Sequence, residues 1–266
     1  YKKAISIKPD YAEAYSNIGV ALRQKGALEE AIDAYKKAIS LKPDYAEAYN
    51  NMGVIFKDQE KFDEAIEVYK KAITFQPDYA EAYDNMGVAL KNQGKLEEAI
   101  DAYKKALSLK PNHSKSYYNM GNALREQLKL NESIEYYNKS ISLDPNYADA
   151  FNNMGLTLYF QDKLDEARQA FNKAISINPE SYDTHNNLSY VLFRSGSFKE
   201  GFEAMEWRWK TPKFLPQQRY FPQPKWDGTH SLNDKRILIW CEQGVGDTIN
   251  WSSCLPFVIS RAKHCI

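Results

Sequence analysis

Six asparagines, Asn17, Asn51, Asn85, Asn119, Asn153 and Asn187, recur at intervals of 34 residues while the residues beside them change freely. A side-chain amide offers two donors and two acceptor lone pairs, so a row of them could grip the main chain of an extended peptide without reading its side chains. The same amides could instead bond from one repeat to the next, and the spacing alone leaves both readings open. A second group lies near the C-terminus, in the stretch CEQGVGD that ends at Asp247. Gly244 and Gly246 permit a tight turn and a close backbone approach, and a helix N-terminus after such a turn suits an anion or a polarised hydroxyl. The spacing departs from a dinucleotide fingerprint because Ile249 stands at the third glycine position. A plain strand-to-helix turn, with Asp247 capping its helix, explains these residues as well.

Little other chemistry is written into the chain. His113, His185, His230 and His264 are scattered without ligand spacing, so no metal site is expected. Neither a G-x-S-x-G elbow nor a Walker loop occurs. Lys+Arg and Asp+Glu are equal at 35 each, which argues against nucleic acid or an anionic membrane as partner. The three cysteines, Cys241, Cys254 and Cys265, are odd in number and form no C-x-x-C pair, a pattern that fits a reducing, cytoplasmic compartment. No apolar run approaches the length of a membrane span, and the first residues do not read as a signal peptide.

The asparagines need an element that repeats with them. Pro9, Pro43, Pro77, Pro111, Pro145 and Pro179 share the 34-residue interval, the mark of a solenoid whose units bury their apolar faces only by stacking. In the unit Ala12–Tyr45, Tyr15, Ile18, Gly19 and Leu22 make one face of a first helix. Leu28, Ala31, Ile32, Tyr35, Ala38 and Ile39 make the matching stripe on a second. Gly26 suits a left-handed C-terminal cap, Pro43 stops the second helix, and Asp44 with Glu47 reads as a capping box for the next helix. The opening YKKAISIKPD matches Tyr35–Asp44, so residue 1 falls inside the second helix of a partial repeat, and further chain is expected ahead of it.

Small residues recur where the two helices must cross: Gly19, Gly53, Gly87, Gly121 and Gly155 on first helices, Ala31, Ala65, Ala99 and Ala167 on second ones. This aromatic, small, small, proline pattern at period 34 resembles the tetratricopeptide repeat (TPR) family over residues 1–210, as a partial repeat at 1–11 and six repeats from residue 12. The resemblance implies an all-α solenoid, a right-handed superhelix whose first helices line a concave groove for a peptide or partner protein. The asparagine row looks like the one in the superhelical repeat domain of O-GlcNAc transferase. Arg23, Lys57, Lys91 and Arg125 lie two turns further along and read first as a solvated face. The copies degrade: Ser133 and Ser140 replace alanines, Leu128 stands at the turn glycine, and Ser189 and Gly201 alter the sixth unit. Those units are expected to be softer. Phe202, Met205 and Trp209, spaced as one helical stripe, are expected to pack on something that is not a repeat.

Residues 211–234 change character, with Pro212, Pro216, Pro222 and Pro224 among Phe214, Tyr220, Phe221 and Trp226, and read as an aromatic linker lying against its neighbours. Residues 235–266 then offer a short apolar strand, Arg236–Trp240, the glycine turn and a helix, the opening of a Rossmann-like α/β unit. Together with EWRW (Glu206–Trp209) and WDG (Trp226–Gly228), this stretch resembles bacterial TPR proteins fused to a heptosyltransferase-like glycosyltransferase. That resemblance implies Asp247 as general base on an acceptor hydroxyl and a nucleotide-sugar donor held by a domain outside residues 235–266. The functional expectations are therefore a groove that binds a peptide or partner protein, a full-length glycosyltransferase whose repeats recruit the acceptor, or a scaffold for self-assembly. The sequence does not specify an oligomeric state.

Overall fold

In a computed structural model, the structure describes residues 9–210 and two short backbone segments, 236–237 and 264–265. The first span is a run of six helical hairpins. Hairpin 1 is α1 (Ala12–Gln24) and α2 (Leu28–Leu41), and hairpin 2 is α3 (Ala46–Asp58) and α4 (Phe62–Phe75). Hairpin 3 is α5 (Ala80–Asn92) and α6 (Leu96–Leu109), and hairpin 4 is α7 (Ser114–Glu126) and α8 (Leu130–Leu143). Hairpin 5 is α9 (Ala148–Phe160) and α10 (Leu164–Ile177), and hairpin 6 is α11 (Tyr182–Arg194) and α12 (Phe198–Met205).

One contact organises each hairpin. Tyr35, Tyr69, Tyr103, Tyr137 and Phe171, all 0% exposed, lie on second helices across the glycine of the first. A Cβ at Gly87 would sit 2.5 Å from Tyr103 Cε1, and one at Gly121 2.6 Å from Tyr137 Cε1. Real Cβ atoms do not come so close, so glycine is what lets the ring into the gap. Hairpin 6 inverts the device, with the Phe193 ring of its first helix lying over Gly201 of its second. Successive hairpins share their cores: Ile66, Tyr69, Leu90, Tyr103, Met120 and Leu124 belong to one cluster that runs from hairpin 2 to hairpin 4.

Each first helix ends in the same turn. Ala27 N–H reaches the Leu22 carbonyl at 3.0 Å while Gly26 N–H reaches Arg23 at 3.0 Å, and equivalent pairs recur in all six hairpins. These two bonds are the Schellman motif, which needs a left-handed residue. Gly26, Gly94 and Gly196 supply it at φ 77 to 80°, and Glu60, Leu128 and Asp162 adopt it at φ 59 to 62° despite their side chains.

Two expectations change on inspection. No capping box forms: Tyr45, not Asp44, is the N-cap of α3 and makes no side-chain cap bond, because the turn after Pro43 carries the chain one residue further before the helix begins. The Tyr45 carbonyl receives Ala48 N–H at 3.1 Å, so the backbone does the work assigned to Asp44. Phe202, Met205 and Trp209 do not form one stripe, since α12 stops at Met205 and a 3-10 turn, Glu206–Lys210, rotates Trp209 into the interior while Phe202 stays 40% exposed. The serines of hairpin 4 keep full hydrogen bonding, Ser133 Oγ to the Gly121 carbonyl and Ser140 Oγ to the Ser114 carbonyl, both at 2.9 Å. Buried hydroxyls so paired carry little penalty.

The chain's contacts partition into two units, Tyr1–Pro216 and Gln217–Ile266. Within the second, Arg236 and Ile237 pair in parallel with His264 and Cys265. A two-residue ladder is no α/β domain, so the described architecture is an all-helical solenoid. Among the described residues, no helix is long and apolar enough to cross a membrane.

Candidate peptide-binding groove

The first helices touch one another from hairpin to hairpin, α1 with α3, α3 with α5 and onward to α11, whereas each second helix meets the next hairpin chiefly through its first helix. The first helices therefore form an inner layer, and the asparagines sit on it. Asn17 is exposed, Asn51, Asn85, Asn153 and Asn187 are half-buried, and Asn119 is buried. Beside them runs a second column, one turn on: Val20, Val54, Val88, Asn122, Leu156 and Tyr190.

Four of the six amides are already engaged within the protein. Asn85 Nδ2 donates to Asn50 Oδ1 at 3.0 Å, and Asn187 Nδ2 to Asn152 Oδ1 at 3.1 Å. Asn119 Nδ2 donates to both carboxylate oxygens of Asp84, at 3.2 and 3.1 Å. Asn153 Nδ2 reaches the Tyr118 hydroxyl at 3.0 Å and Asn122 Oδ1 at 2.8 Å. Each bond joins one hairpin to the one before, the repeat-to-repeat arrangement that the sequence left open beside peptide binding. Asn17 and Asn51 have no side-chain partner among the described residues. The Asp84 carboxylate, 3% exposed, also receives the Ser116 hydroxyl at 2.7 Å, and Ser116 Oγ in turn contacts His113 Nδ1 at 2.7 Å.

The acceptors were overlooked in the sequence because their column drifts: Ser16, Asn50, Asp84, Tyr118, Asn152 and Asn186. Their common property is a side-chain oxygen, and that was the available signal. Ser16 is the shortest of them, which leaves Asn51 without the bond its successors make. Of the cations expected on a solvated face, Lys57 pairs with Asp58 at 2.9 Å and Lys91 with Glu126 at 3.0 Å, both partly exposed pairs worth about 0 to 1 kcal/mol.

Beneath the inner layer, the phenol groups behave differently from hairpin to hairpin. Tyr137 Oη donates to Asn122 Oδ1 at 2.7 Å, whereas Tyr35, Tyr69 and Tyr103 have buried hydroxyls with no hydrogen-bond partner. Valine stands above each of those three where Asn122 stands in hairpin 4. Burial pushes Tyr35 and Tyr137 up to about 12, and Tyr69 and Tyr103 still further. Two open clefts, of about 310 and 290 Å³, lie beside Met154 and Leu158 and beside Leu188 and Trp207, away from the asparagines. Asp247, Gly244, Gly246 and the linker 211–234 lie outside the described residues. No group of His, Cys, Asp and Glu among the described residues could hold a metal ion.

Family models described as TPR repeat match residues 1–26, 19–59, 54–94 and 121–162, and models described as tetratricopeptide repeat match 80–113, 102–135 and 148–181. The chain belongs to the tetratricopeptide repeat family. No curated protein matches the chain. Among solved structures, the TPR chain is similar to YrrB, a TPR protein with an unusual peptide-binding site, at 26% identity and TM-score 0.55, over 69% of this chain and 94% of that one. It is similar to MamA at 31% identity and TM-score 0.56, over 62% and 97%. PilF of Pseudomonas aeruginosa, at 22% identity and TM-score 0.67 over 77% and 95%, shares the fold.

Proposed function

We propose that this TPR chain is a protein-interaction module whose inner layer of first helices holds an extended peptide or a peptide-like segment of a partner. The observation that carries the reading is the pair of aligned columns on that layer, amide beside apolar side chain in every hairpin but the fourth, where Asn122 takes the apolar place. An extended peptide needs main-chain hydrogen-bond partners and apolar contacts at regular intervals, and these columns offer both. The similarity to YrrB, described as having a peptide-binding site, supports it further. The charge balance of the chain favours recognition by hydrogen bonding and apolar contact over attraction between large opposite charges. The test is peptide selection on the 266-residue chain, followed by Val54→Arg and Val88→Arg. The reading predicts loss of binding with the hairpins intact by circular dichroism, and unchanged binding sinks it.

A second reading places this module ahead of a glycosyltransferase that uses a nucleotide-sugar, with Asp247 as base and Gly244 and Gly246 in the turn before it. Its support is in the sequence alone, the apolar run Arg236–Trp240 followed by the glycine turn CEQGVGD that ends at Asp247. Asp247→Asn in the full-length protein should abolish sugar transfer and spare groove binding; transfer that persists removes Asp247 from the chemistry.

A further inference from the structure

Three departures from the repeat meet at one joint. In hairpins 2, 3 and 5 the residue before the first helix is a tyrosine that leans on the preceding hairpin: Tyr45 meets Ser16, Tyr79 meets Asn50, and the Tyr147 ring centroid lies 4.9 Å from that of Tyr118. At the joint of hairpins 3 and 4 the tyrosine place holds His113 and the facing place holds Asp84, while Ser116 stands where hairpins 1, 2, 3 and 5 have alanine. The three side chains form one hydrogen-bonded chain. His113 Nδ1 lies 2.7 Å from Ser116 Oγ, and the Ser116 hydroxyl donates to Asp84 Oδ1 at 2.7 Å, with Asn119 Nδ2 on both carboxylate oxygens. Asp84 is 3% exposed and Ser116 fully buried, so water does not readily replace a lost member.

The protons on this chain have one consistent order. A carboxylate only accepts, so Ser116 gives its single hydroxyl proton to Asp84, and its oxygen is left to accept from His113 Nδ1–H. An imidazolium always carries that proton. A neutral ring has one proton for two nitrogens; if it sits on Nε2, Ser116 has one proton for two acceptors, and either the imidazole or the buried carboxylate goes short. Charge acts in the same sense, since the Asp84 carboxylate attracts the charged ring. The other charged groups around the chain are the Glu81–Lys110 pair at 3.5 Å, Lys115 next to Ser116, and Asp144 and Asp149 beside Tyr147. The phenols of Tyr69, Tyr103 and Tyr147, raised by burial first and by Asp84 among other charges, keep their protons through neutral pH. Histidine is the side chain of this set that changes charge near neutrality. We propose that the joint between hairpins 3 and 4 is a proton-linked clasp, which closes on charged His113 and loosens as the imidazole gives up its proton. Its contribution to stability is present at mildly acidic pH and is lost as the pH rises.

The neighbouring joints supply the controls. His113→Tyr restores the residue that Tyr79 represents one repeat earlier, and Asp84→Asn restores the amide of Asn50, so both variants keep side chains that this backbone already accommodates. Thermal melts of the 266-residue chain are compared at about pH 6 and about pH 8, on either side of the ordinary imidazole range. Between the two, the Tm of the unaltered chain should rise by about 2 to 4 °C more than that of His113→Tyr. The remaining titrating groups, His185 among them, are common to both proteins and cancel in the difference. Asp84→Asn should remove most of the excess although His113 is still present, and the double variant should lose no more of it than the larger single loss. An equal pH response in the unaltered chain and His113→Tyr overturns the clasp, as does an excess of opposite sign or one that survives in Asp84→Asn. Should either variant fail to fold, Ser116→Ala, which restores the alanine of the neighbouring hairpins, takes out the bridge; the excess must then vanish, and its persistence overturns the proposal.

Discussion

Hairpins 3 and 4 share a backbone and differ in one buried polar decision. Each lays a tyrosine across a glycine, Tyr103 on Gly87 and Tyr137 on Gly121, with nearly equal closeness. Above Tyr103 stands Val88 and the hydroxyl has no partner; above Tyr137 stands Asn122, which accepts that hydroxyl and the amide of Asn153 as well. Ring packing defines the hairpin, and the atom at the end of the ring decides whether the joint to the next hairpin is polar. The repeat fixes the first and tolerates variation in the second.

The largest effect should come from the shared contact. Gly87→Ala and Gly121→Ala each drive a methyl into a fully buried ring, and overpacking of this kind costs about 1 to 3 kcal/mol. Tyr137 is tethered at its hydroxyl and Tyr103 is not, so the Tyr103 ring has more freedom to yield. Urea unfolding should show the greater loss in Gly121→Ala; equal losses would mean that the tether does not restrain the ring.

Next in size is the exchange of the two lids. Asn122→Val leaves Tyr137 as unsatisfied as Tyr103 and takes one acceptor from Asn153, which keeps the Tyr118 hydroxyl at 3.0 Å. Stranding a buried polar group costs about 1 to 3 kcal/mol. Val88→Asn runs the other way, and thermal melts should show a smaller gain, since the amide must itself be desolvated.

Removing the hydroxyls separates the hairpins more gently. Tyr137→Phe deletes a made hydrogen bond, a loss of about 0.5 to 1.5 kcal/mol, whereas Tyr103→Phe removes an unsatisfied group and should be neutral or stabilising. Alkali adds a second readout. Both phenols have folded pKa values raised above 10, chiefly by burial, so the folded state holds their protons longer than the unfolded state. Their contribution is intact below pH 10 and is lost as pH rises through the folded values, about 12 for Tyr137 and higher for Tyr103. Tyr103→Phe should therefore flatten the fall in stability between pH 10 and 12, measured by urea titration at each pH.

How much of this was legible depended on how many partners a residue needs. The period, the hairpins, the small residues at the crossing and the left-handed turn at Gly26 each follow from a residue and its own helix pair, and six copies repeat the message. The capping box failed because Asp44 and Glu47 have the right spacing on the wrong side of a turn, and only the backbone at Tyr45 decides where the helix begins. The asparagine column was found as a column and left ambiguous in purpose. Its bonds run to a residue of variable type in the previous hairpin, Asn50, Asp84, Tyr118, Asn122 or Asn152, and no periodic pattern names a partner whose identity changes.

The smallest effect lies at the turn of hairpin 4, and it tests whether the comparison with hairpin 3 extends beyond the core. Gly94 and Leu128 hold the same left-handed place, at φ 77° and 61°. Glycine adopts it without strain, whereas a side chain there costs roughly 1 to 2 kcal/mol. Leu128 recovers nothing by burial, being 80% exposed. Leu128→Gly relieves the strain but gives the unfolded chain more freedom, which returns about 0.5 to 1 kcal/mol of the gain. The net stabilisation should be about 0.5 kcal/mol, a rise of a degree or two in Tm, and Gly94→Leu should lose a similar amount. If Leu128→Gly instead lowers Tm, the exposed leucine contributes more to the folded chain than its surroundings account for, and the two hairpins differ at the turn as well as in the core.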